Sequence, residues 1–205
     1  MVLWVAAGVV LPTWAATAQA QMALSAAINV SGSFRALSQR MAKAYCQQHL
    51  QVMPLAALDV LAKVRKQAQA GAADLAKGST AGAWPADLSR QLEEVQKQYT
   101  VLNTLTATAP SKASAAAVAE QADRMMTAAQ TATESLEKLA RARSAKLVDM
   151  AGRQRMLSQR MAKAYGLVAA GLDSRPLREQ IAGDAEEFQR AMAQLAGAPL
   201  STPAI

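Results

Sequence analysis

Two arginines recur in the same local sequence, at positions 120 apart. Residues 37–45 read LSQRMAKAY, and residues 157–165 repeat these nine letters without a change. The same offset relates Arg35 to Arg155. Such a long identity within one chain indicates the internal duplication of a structural unit. Two copies are fewer than a solenoid needs, so we expect two related units and not a solenoid.

Each of these arginines can bind an anion. A guanidinium carries a permanent positive charge and a planar fork of N–H donors that matches planar oxyanions. No carboxylate lies within one helical turn of Arg35 or Arg155 on its own helix. We therefore predict Arg35 and Arg155 as the ligand-binding residues. The alternative is that both are solvated, or that they pair with acids on a neighbouring helix.

Small residues surround both arginines when the segments are wound as helices at about 100° per residue. Glycine inside a helix costs about 1 kcal/mol relative to alanine, so two glycines here need a packing or functional reason. Arg40 and Arg160 lie about 140° round the helix from Arg35 and Arg155, so we expect support or surface pairing from them and no share in the same pocket. The predicted close-packing positions are Gly32, Gly152, Ala42 and Ala162, and the predicted supporting positions are Gln39, Gln159, Arg40 and Arg160.

The two arginine-containing segments, which we call the boxes, resemble a known family. Residues 32–40 (GSFRALSQR) and 152–163 (GRQRMLSQRMAK) are similar to the box of the NarX-like, or PilJ-type, N-terminal domain. That family includes periplasmic sensor domains of nitrate- and nitrite-responsive histidine kinases and of the type IV pili chemotaxis transducer. The resemblance implies an up-down four-helix bundle with the box on its first helix. It also implies that Arg35 and Arg155 are the ligand arginines, since in the nitrate sensors one such arginine from each of two subunits grips the anion.

The remaining residues offer no catalytic or metal-binding constellation. Cys46 and His49 are the single cysteine and the single histidine of the chain, which excludes an internal disulfide and any metal site built from several thiolates or imidazoles. The glycines are scattered and do not form a phosphate-binding loop. We predict a non-catalytic protein with no metal and no cofactor.

The N-terminus indicates export. Residues 1–34 contain no charged side chain, and an apolar run over residues 1–11 is followed by a small-x-small pattern at 18–20. We predict a signal peptide over residues 1–20, or alternatively an uncleaved membrane anchor. Either reading places the chain in the periplasm or outside the cell, or anchored in the inner membrane and facing the periplasm. The net charge of +7 suits phosphate binding, but the export signal leads us to predict no nucleic-acid partner.

Composition predicts an all-α fold. Good helix formers dominate, and only 4% of the residues are aromatic. From position 111 no proline or other strong breaker appears until the turn at Asp173, so the fourth helix is expected to run for about 60 residues, or to kink near Gly152. The predicted helices span residues 23–52, 54–77, 85–106, 111–172 and 176–196.

These features predict an up-down four-helix bundle whose very long fourth helix leads into a second repeat. The first unit spans residues 21–147 and the second spans residues 148–198, followed by a disordered tail over 199–205. The second unit is expected to be incomplete, because only one helix fits after its box.

Three functions fit the sequence. The first is a sensory module that binds a small oxyanion, nitrate or nitrite by resemblance, at a helix interface. The second is a structural or interaction module of a receptor, pilus or chemotaxis system, whose small-residue stripes dock a homodimer partner or a membrane receptor. The third is a basic helical protein that binds acidic surfaces such as lipid headgroups.

Overall fold

The computed structural model describes residues 13–80, 84–140 and 143–198, with side chains for residues 24–78, 84–140 and 146–198. These residues form six α-helices and no β-strand, which confirms the all-α prediction. The helices are α1 (Thr13–His49), α2 (Pro54–Thr80), α3 (Ala86–Leu105), α4 (Lys112–Ala140), α5 (Arg143–Ala169) and α6 (Arg175–Ala196).

Breakers and caps set most of the helix ends. Pro54 opens α2 and Pro85 directly precedes α3, as the fixed backbone angle of proline favours. The hydroxyls of Ser111 and Ser174 each accept a hydrogen bond from a backbone N–H three residues later, and so they cap α4 and α6. The first helix is longer than predicted and starts at Thr13.

The first four helices form an up-down bundle. Ser31 pairs with Thr133 and Tyr45 pairs with Ser114, so residues later in α1 meet residues earlier in α4 and the two helices run antiparallel. The helices that follow one another in the sequence are also in contact, namely α1 with α2, α2 with α3 and α3 with α4. The four-helix bundle expected of the first unit is therefore present.

Alanine and other small residues set the packing of this bundle. The stripe of Phe34, Leu37, Met41, Ala44 and Tyr45 on α1 is buried in the core, as the sequence predicts. Many of the residues that face it from the other helices are alanines, which let the helix axes come close together. Helix α1 lies at the centre of the fold and contacts α2, α3, α4 and α5.

The prediction of one very long fourth helix is wrong. Helix α4 ends at Ala140 and α5 begins at Arg143. The ion pair between Asp123 and Lys163 joins an early position of α4 to a late position of α5, so the two helices run antiparallel. No proline or glycine marks this reversal, and local propensity alone favours a continuous helix. Tertiary packing decides the outcome, because folding back buries α5 against α1 and α4.

The second unit packs directly on the first. The sulfur of Cys46, late in α1, lies 3.2 Å from the position that a Cβ on Gly166 would occupy, late in α5. Helices α1 and α5 are therefore parallel, and the two copies of the box lie side by side. Helix α6 runs antiparallel to α5, since Gln154 donates to the carbonyl of Phe188 at a distance of 3.2 Å.

Part of the predicted export signal lies outside the described residues. This is true of residues 1–12, and of the predicted tail 199–205. Within the part of the chain that the structure describes, none of the helices combines the length and the apolar character that crossing a membrane requires.

Tyr45 and Tyr165 occupy the same place in the repeat and provide a matched test of this packing. The Tyr45 side chain is 0% exposed, and its hydroxyl contacts the loop before α4 and Ser114, whereas Tyr165 is 63% exposed. We expect Tyr45→Phe to lower the free energy of unfolding by about 1 kcal/mol, and Tyr165→Phe to change it by less than about 0.5 kcal/mol. Urea denaturation of both variants measures the difference, and equal effects would contradict the assigned packing of α1 and α5.

Candidate functional site

Reciprocal contacts define the interface between the two boxes. Arg35 on α1 contacts Asp149 on α5, and Arg155 on α5 donates to Asn29 on α1 at 3.1 Å. Residue 29 is the equivalent of residue 149 at the repeat offset. Each arginine therefore reaches the same position on the opposite helix, which is the signature of a two-fold interface. Here both halves belong to one chain.

The guanidinium of Arg35 is enclosed at this interface. The residue is 0% exposed, and its Nη1 lies 2.6 Å from Oδ1 of Asp149. Nε donates to the Gly32 carbonyl at 3.1 Å, and Nη1 also donates to Oε1 of Gln130 on α4 at 2.5 Å. A buried charge is tolerated only when it is paired and hydrogen-bonded. The alternative raised by the sequence, a pairing with an acid on a neighbouring helix, is thus what the structure shows for Arg35.

Gly32 and Gly152 make room for that guanidinium. A Cβ on Gly32 would lie 2.8 Å from Nη2 of Arg35, and a Cβ on Gly152 would lie 2.9 Å from the same atom. The two glycines thus border the same nitrogen, one from each box. Among the described residues Nη2 has no hydrogen-bond partner. The sequence predicts close helix packing at these two glycines, and the structure shows that the atom nearest to each of them is a nitrogen of the Arg35 guanidinium.

The carboxyl group of Asp149, which pairs with Arg35, lies beside the carboxyl group of Glu137 on α4. Burial, the charge of Asp149 and a hydrogen bond between the two carboxyl groups raise the pKa of Glu137 to about 7. Arg35 and Arg153 oppose this shift through their positive charges. Arg153 itself lies 3.4 Å from Oδ2 of Asp149 and 3.2 Å from Oε1 of Glu187. This cluster couples α1, α4, α5 and α6 through charge.

Gln39, a predicted supporting residue of the first box, binds α4. Gln39 is buried and donates to the Ala122 carbonyl at 3.2 Å and to Oδ1 of Asp123 at 3.1 Å. Lys163 of the second box donates to the same Asp123 oxygen at 2.6 Å. Ala42 is buried on the same helix as Gln39. Asp123 therefore joins both boxes to α4.

Arg160 pairs with a buried acidic residue of α6. It forms a two-pronged ion pair with Asp184 of α6, and the Nε–Oδ2 distance is 2.8 Å. Its guanidinium also lies 3.6 Å from the sulfur of Met126 on α4. Hydrogen bonding to Asp184 and the charges of nearby acids raise the pKa of Arg160 against the opposing effect of burial. The residue fastens α6 to the rest of the fold.

An open cleft lies on the opposite side of the α1–α5 interface. It has a volume of about 390 Å³ and lies between α1, α2 and α5. Two guanidinium groups contribute to it, Arg40 from the first box and Arg155 from the second. No carboxylate belongs to the described residues that line it. Its polar lining is Ser33, Arg40, Gln67, Arg155, Ser158 and Gln159.

The expectation that Arg40 and Arg155 share no pocket needs correction. Winding one helix at a time separates Arg40 from Arg35, but the neighbouring helix of the other copy brings Arg155 to the same cleft as Arg40. Burial, and then the charge of Arg40, lower the pKa of Lys43 one turn further on. None of the ion pairs among the described residues includes Arg40, Lys43 or Arg155. This side of the interface is therefore cationic and uncompensated.

The structure divides the predicted site residues between two environments. Arg35, Gly32, Gly152, Gln39 and Ala42 belong to the closed side that α4 covers. The open side holds the remaining predicted residues except Arg160, namely Arg155, Gln159, Arg40 and Ala162.

The acids that complete the closed side were missed by reasoning from the sequence. Asp149 is the single acidic residue between Glu137 and Asp173, and it lies three positions before Gly152, which is a signal that could have been read. Nothing in the local sequence distinguishes Asp123 or Gln130 from other polar residues of α4. Only the reversal between α4 and α5 brings them to the boxes.

The chain is a helical bundle with a duplicated arginine box at a seam between helices. The family model that matches this chain is described as type IV pili methyl-accepting chemotaxis transducer N-term, or PilJ, and it matches residues 16–130 and 140–205. The chain belongs to this family. Each matched segment contains one copy of the box, which agrees with the internal repeat. No curated protein and no solved structure matches the chain.

Membership in this family indicates a signalling module, and it confirms the PilJ part of the resemblance. The likeness to nitrate sensors stays a prediction.

A matched pair of glycine substitutions tests the enclosure of Arg35. Gly183 has no atom within 4 Å of an added Cβ, so Gly183→Ala should stabilise α6 by up to about 1 kcal/mol. Gly152→Ala should instead destabilise the protein by about 1–3 kcal/mol, because the added methyl displaces a guanidinium that three contacts hold. Thermal denaturation measures both. Stabilisation by both variants would show that Arg35 is not confined.

The carboxyl pair predicts how stability depends on pH. The pKa of Glu137 is about 7 in the folded protein and 4.5 in its ordinary state, so the folded protein binds the extra proton between these values. The free energy of unfolding should therefore fall as the pH rises from about 5 to about 7. Glu137→Gln keeps the shape and removes the titration, so its melting temperature should fall less over that range than the melting temperature of the wild type. Identical slopes for the two proteins would refute the assignment.

Proposed function

We propose that this chain is a non-catalytic sensory module that binds a small oxyanion, of the nitrate or nitrite type, in the open cleft between α1 and α5. Arg155 is the principal ligand and Arg40 is the second cation. The observation that carries this proposal is a difference between equivalent positions of the repeat. Arg35 faces the carboxylate of Asp149, whereas Arg155 faces the amide of Asn29.

The closed side supplies the chemical precedent. There the carboxylate of Asp149, itself a planar oxyanion, contacts the guanidinium of Arg35. On the open side the neutral amide of Asn29 stands in the equivalent position and leaves the charge of Arg155 without an anion. A planar oxyanion from solution would supply the missing charge, and a guanidinium binds such anions through two parallel N–H donors.

The cleft offers further donors around that position. Arg40 adds a second guanidinium, and Ser158 and Gln159 follow Arg155 on α5 by one turn. Two cations without a competing acid favour an anion over a neutral solute. The volume of about 390 Å³ exceeds what a small anion fills, so water would share the cleft with it.

Arg35 has a different role in this proposal. Its partner is the internal carboxylate of Asp149, and an external anion would have to displace that carboxylate from a buried site. Arg35 therefore holds the two units together, whereas Arg155 is exposed and available.

Export belongs to the same proposal. It is supported by the uncharged, apolar start of the sequence over residues 1–20 and by membership in a family described from a chemotaxis transducer. In the periplasm the module would report the anion to a membrane receptor of the pilus or chemotaxis type. We also propose that the chain forms a homodimer.

Isothermal titration of the chain with sodium nitrate and sodium nitrite, at constant ionic strength, tests anion binding. Arg155→Gln should abolish the binding heat. Asn29→Asp should do the same, because it introduces beside Arg155 the carboxylate that Asp149 provides beside Arg35. Arg90→Gln, an exposed position on α3, removes the same charge and should leave binding unchanged.

The outcome is decided by the comparison of the three variants. Loss of binding in Arg155→Gln and Asn29→Asp but not in Arg90→Gln supports the cleft. The absence of binding to the wild-type chain, or binding that survives both cleft substitutions, would reject it. Circular dichroism of each variant confirms that the helical fold is kept.

A further inference from the structure

One helix face occurs twice in this fold, covered in one copy and bare in the other. On α1 this face is buried at every position, and four of its six residues contact α4, namely Ser31, Arg35, Gln39 and Tyr45. The equivalent residues of α5 are exposed, except that the residue at 159 is partly exposed. We call the α5 copy the open face, and it consists of Ala151, Arg155, Ser158, Gln159, Ala162 and Tyr165.

The residues of the open face are almost the same as those of its covered counterpart. Five of the six positions carry identical residue types in the two copies, and the sixth has Ser31 on α1 and Ala151 on α5. The difference in exposure therefore does not come from the residues themselves. It comes from the presence of α4 on one side of a two-fold interface.

Helix α4 shows what such a face binds. Ser31 pairs with the hydroxyl of Thr133 at 3.0 Å, and Gln39 donates to the carbonyl of Ala122 at 3.2 Å. The contacting face of α4 is rich in alanine, which allows close approach. Near the N-terminal end of α4, the hydroxyl of Tyr45 lies 3.0 Å from the carbonyl oxygen of Ala109 and 2.9 Å from Oγ of Ser114.

The open face lacks these partners. The hydroxyl-bearing ring of Tyr165 is 63% exposed, although a large aromatic residue gains most from burial. Its copy on α1, Tyr45, is a side chain that α4 covers on the other side.

We infer that the open face is a docking site for an amphipathic helix of the α4 type, supplied by a partner protein and lying antiparallel to α5. The contacting side of that helix is rich in alanine, and an acidic residue faces Lys43. A hydroxyl or carbonyl acceptor near its N-terminus receives the Tyr165 hydroxyl.

Charge complementarity identifies the acidic character of the partner. On the closed side the lysine of the second box, Lys163, meets Asp123 of α4. Its counterpart Lys43 has no ion pair among the described residues, and it lies beside Arg40 in the same cationic region as Arg155. A helix that carries carboxylates compensates these charges, whereas a basic helix is repelled.

An α4 helix exchanged from a second copy of this chain does not serve as well. Helix α4 is already packed in its own bundle, with residues such as Val118, Met125 and Leu136 buried. Exchanging α4 between two chains would uncover one closed face for every open face that it covers. The exchange therefore gives no net burial, and a separate helix is the favoured occupant.

The docked helix would lie over part of the open cleft, because Arg155, Ser158 and Gln159 belong to both surfaces, whereas Ala162 and Tyr165 belong to the open face alone. The probe is a fluorescent peptide with the sequence of residues 110–140, together with a version cross-linked between the solvent-facing positions 116 and 120 so that it stays helical. Fluorescence anisotropy with the full chain measures binding.

We expect the cross-linked peptide to bind, and Ala162→Trp and Tyr165→Ala each to weaken that binding by about tenfold or more. Ala62→Trp, at an exposed alanine of α2, should leave it unchanged. Replacing Asp123 by lysine in the peptide should weaken binding as well, since it places like charges together. Ala162→Trp should keep the heat of nitrate binding, which separates this inference from the anion site.

Two results would overturn the inference. One is the failure of the cross-linked peptide to bind the wild-type chain. The other is binding that survives both Ala162→Trp and Tyr165→Ala, which would mean that the peptide has replaced α4 on α1 instead of occupying α5.

Discussion

The structure depends on one buried cation. Arg35 lies wholly inside the protein, and the carboxylate that neutralises it, Asp149, comes from the second repeat. Removing a guanidinium from water is tolerated only when a partner of opposite charge and several acceptors replace the solvent. The α5–α6 hairpin is therefore an integral part of the first bundle. Without it the central helix α1 would expose an unpaired charge at a seam of glycines.

The two boxes show that burial is decided by context. Identical residues at 38 and 158, and at 45 and 165, are enclosed in one copy and exposed in the other. Helix α1 meets neighbours on several sides, whereas α5 meets α1, α4 and α6. The same chemistry is consequently used for internal packing in the first unit and presented outward in the second. Family membership through two matched segments agrees with this division of one ancestral unit into two roles.

Much of the fold follows from local signals, because proline and serine mark the helix ends and the apolar stripe that contains Phe34 marks the core. The reversal between α4 and α5 could not be predicted, since residues with good helical propensity surround it and only packing favours it. The site was predicted in part. The arginines and glycines were visible in the repeat, but Asp149 and the nearness of Arg40 to Arg155 depend on how neighbouring helices meet. An angle measured on one helix carries no information about the next.

The two boxes pair in parallel within a single polypeptide, and this changes which substitutions the interface can accept. In an assembly of two identical chains, every substitution appears on both sides of the symmetry axis, and the pair separates on dilution. Here the connection through α2, α3 and α4 makes the pairing intramolecular and independent of protein concentration. Each half can also accept its own substitutions, and the acid at 149 opposite the amide at 29 is such a divergence. Covalent linkage thus allows one half to specialise as scaffold while the other remains free to acquire new recognition.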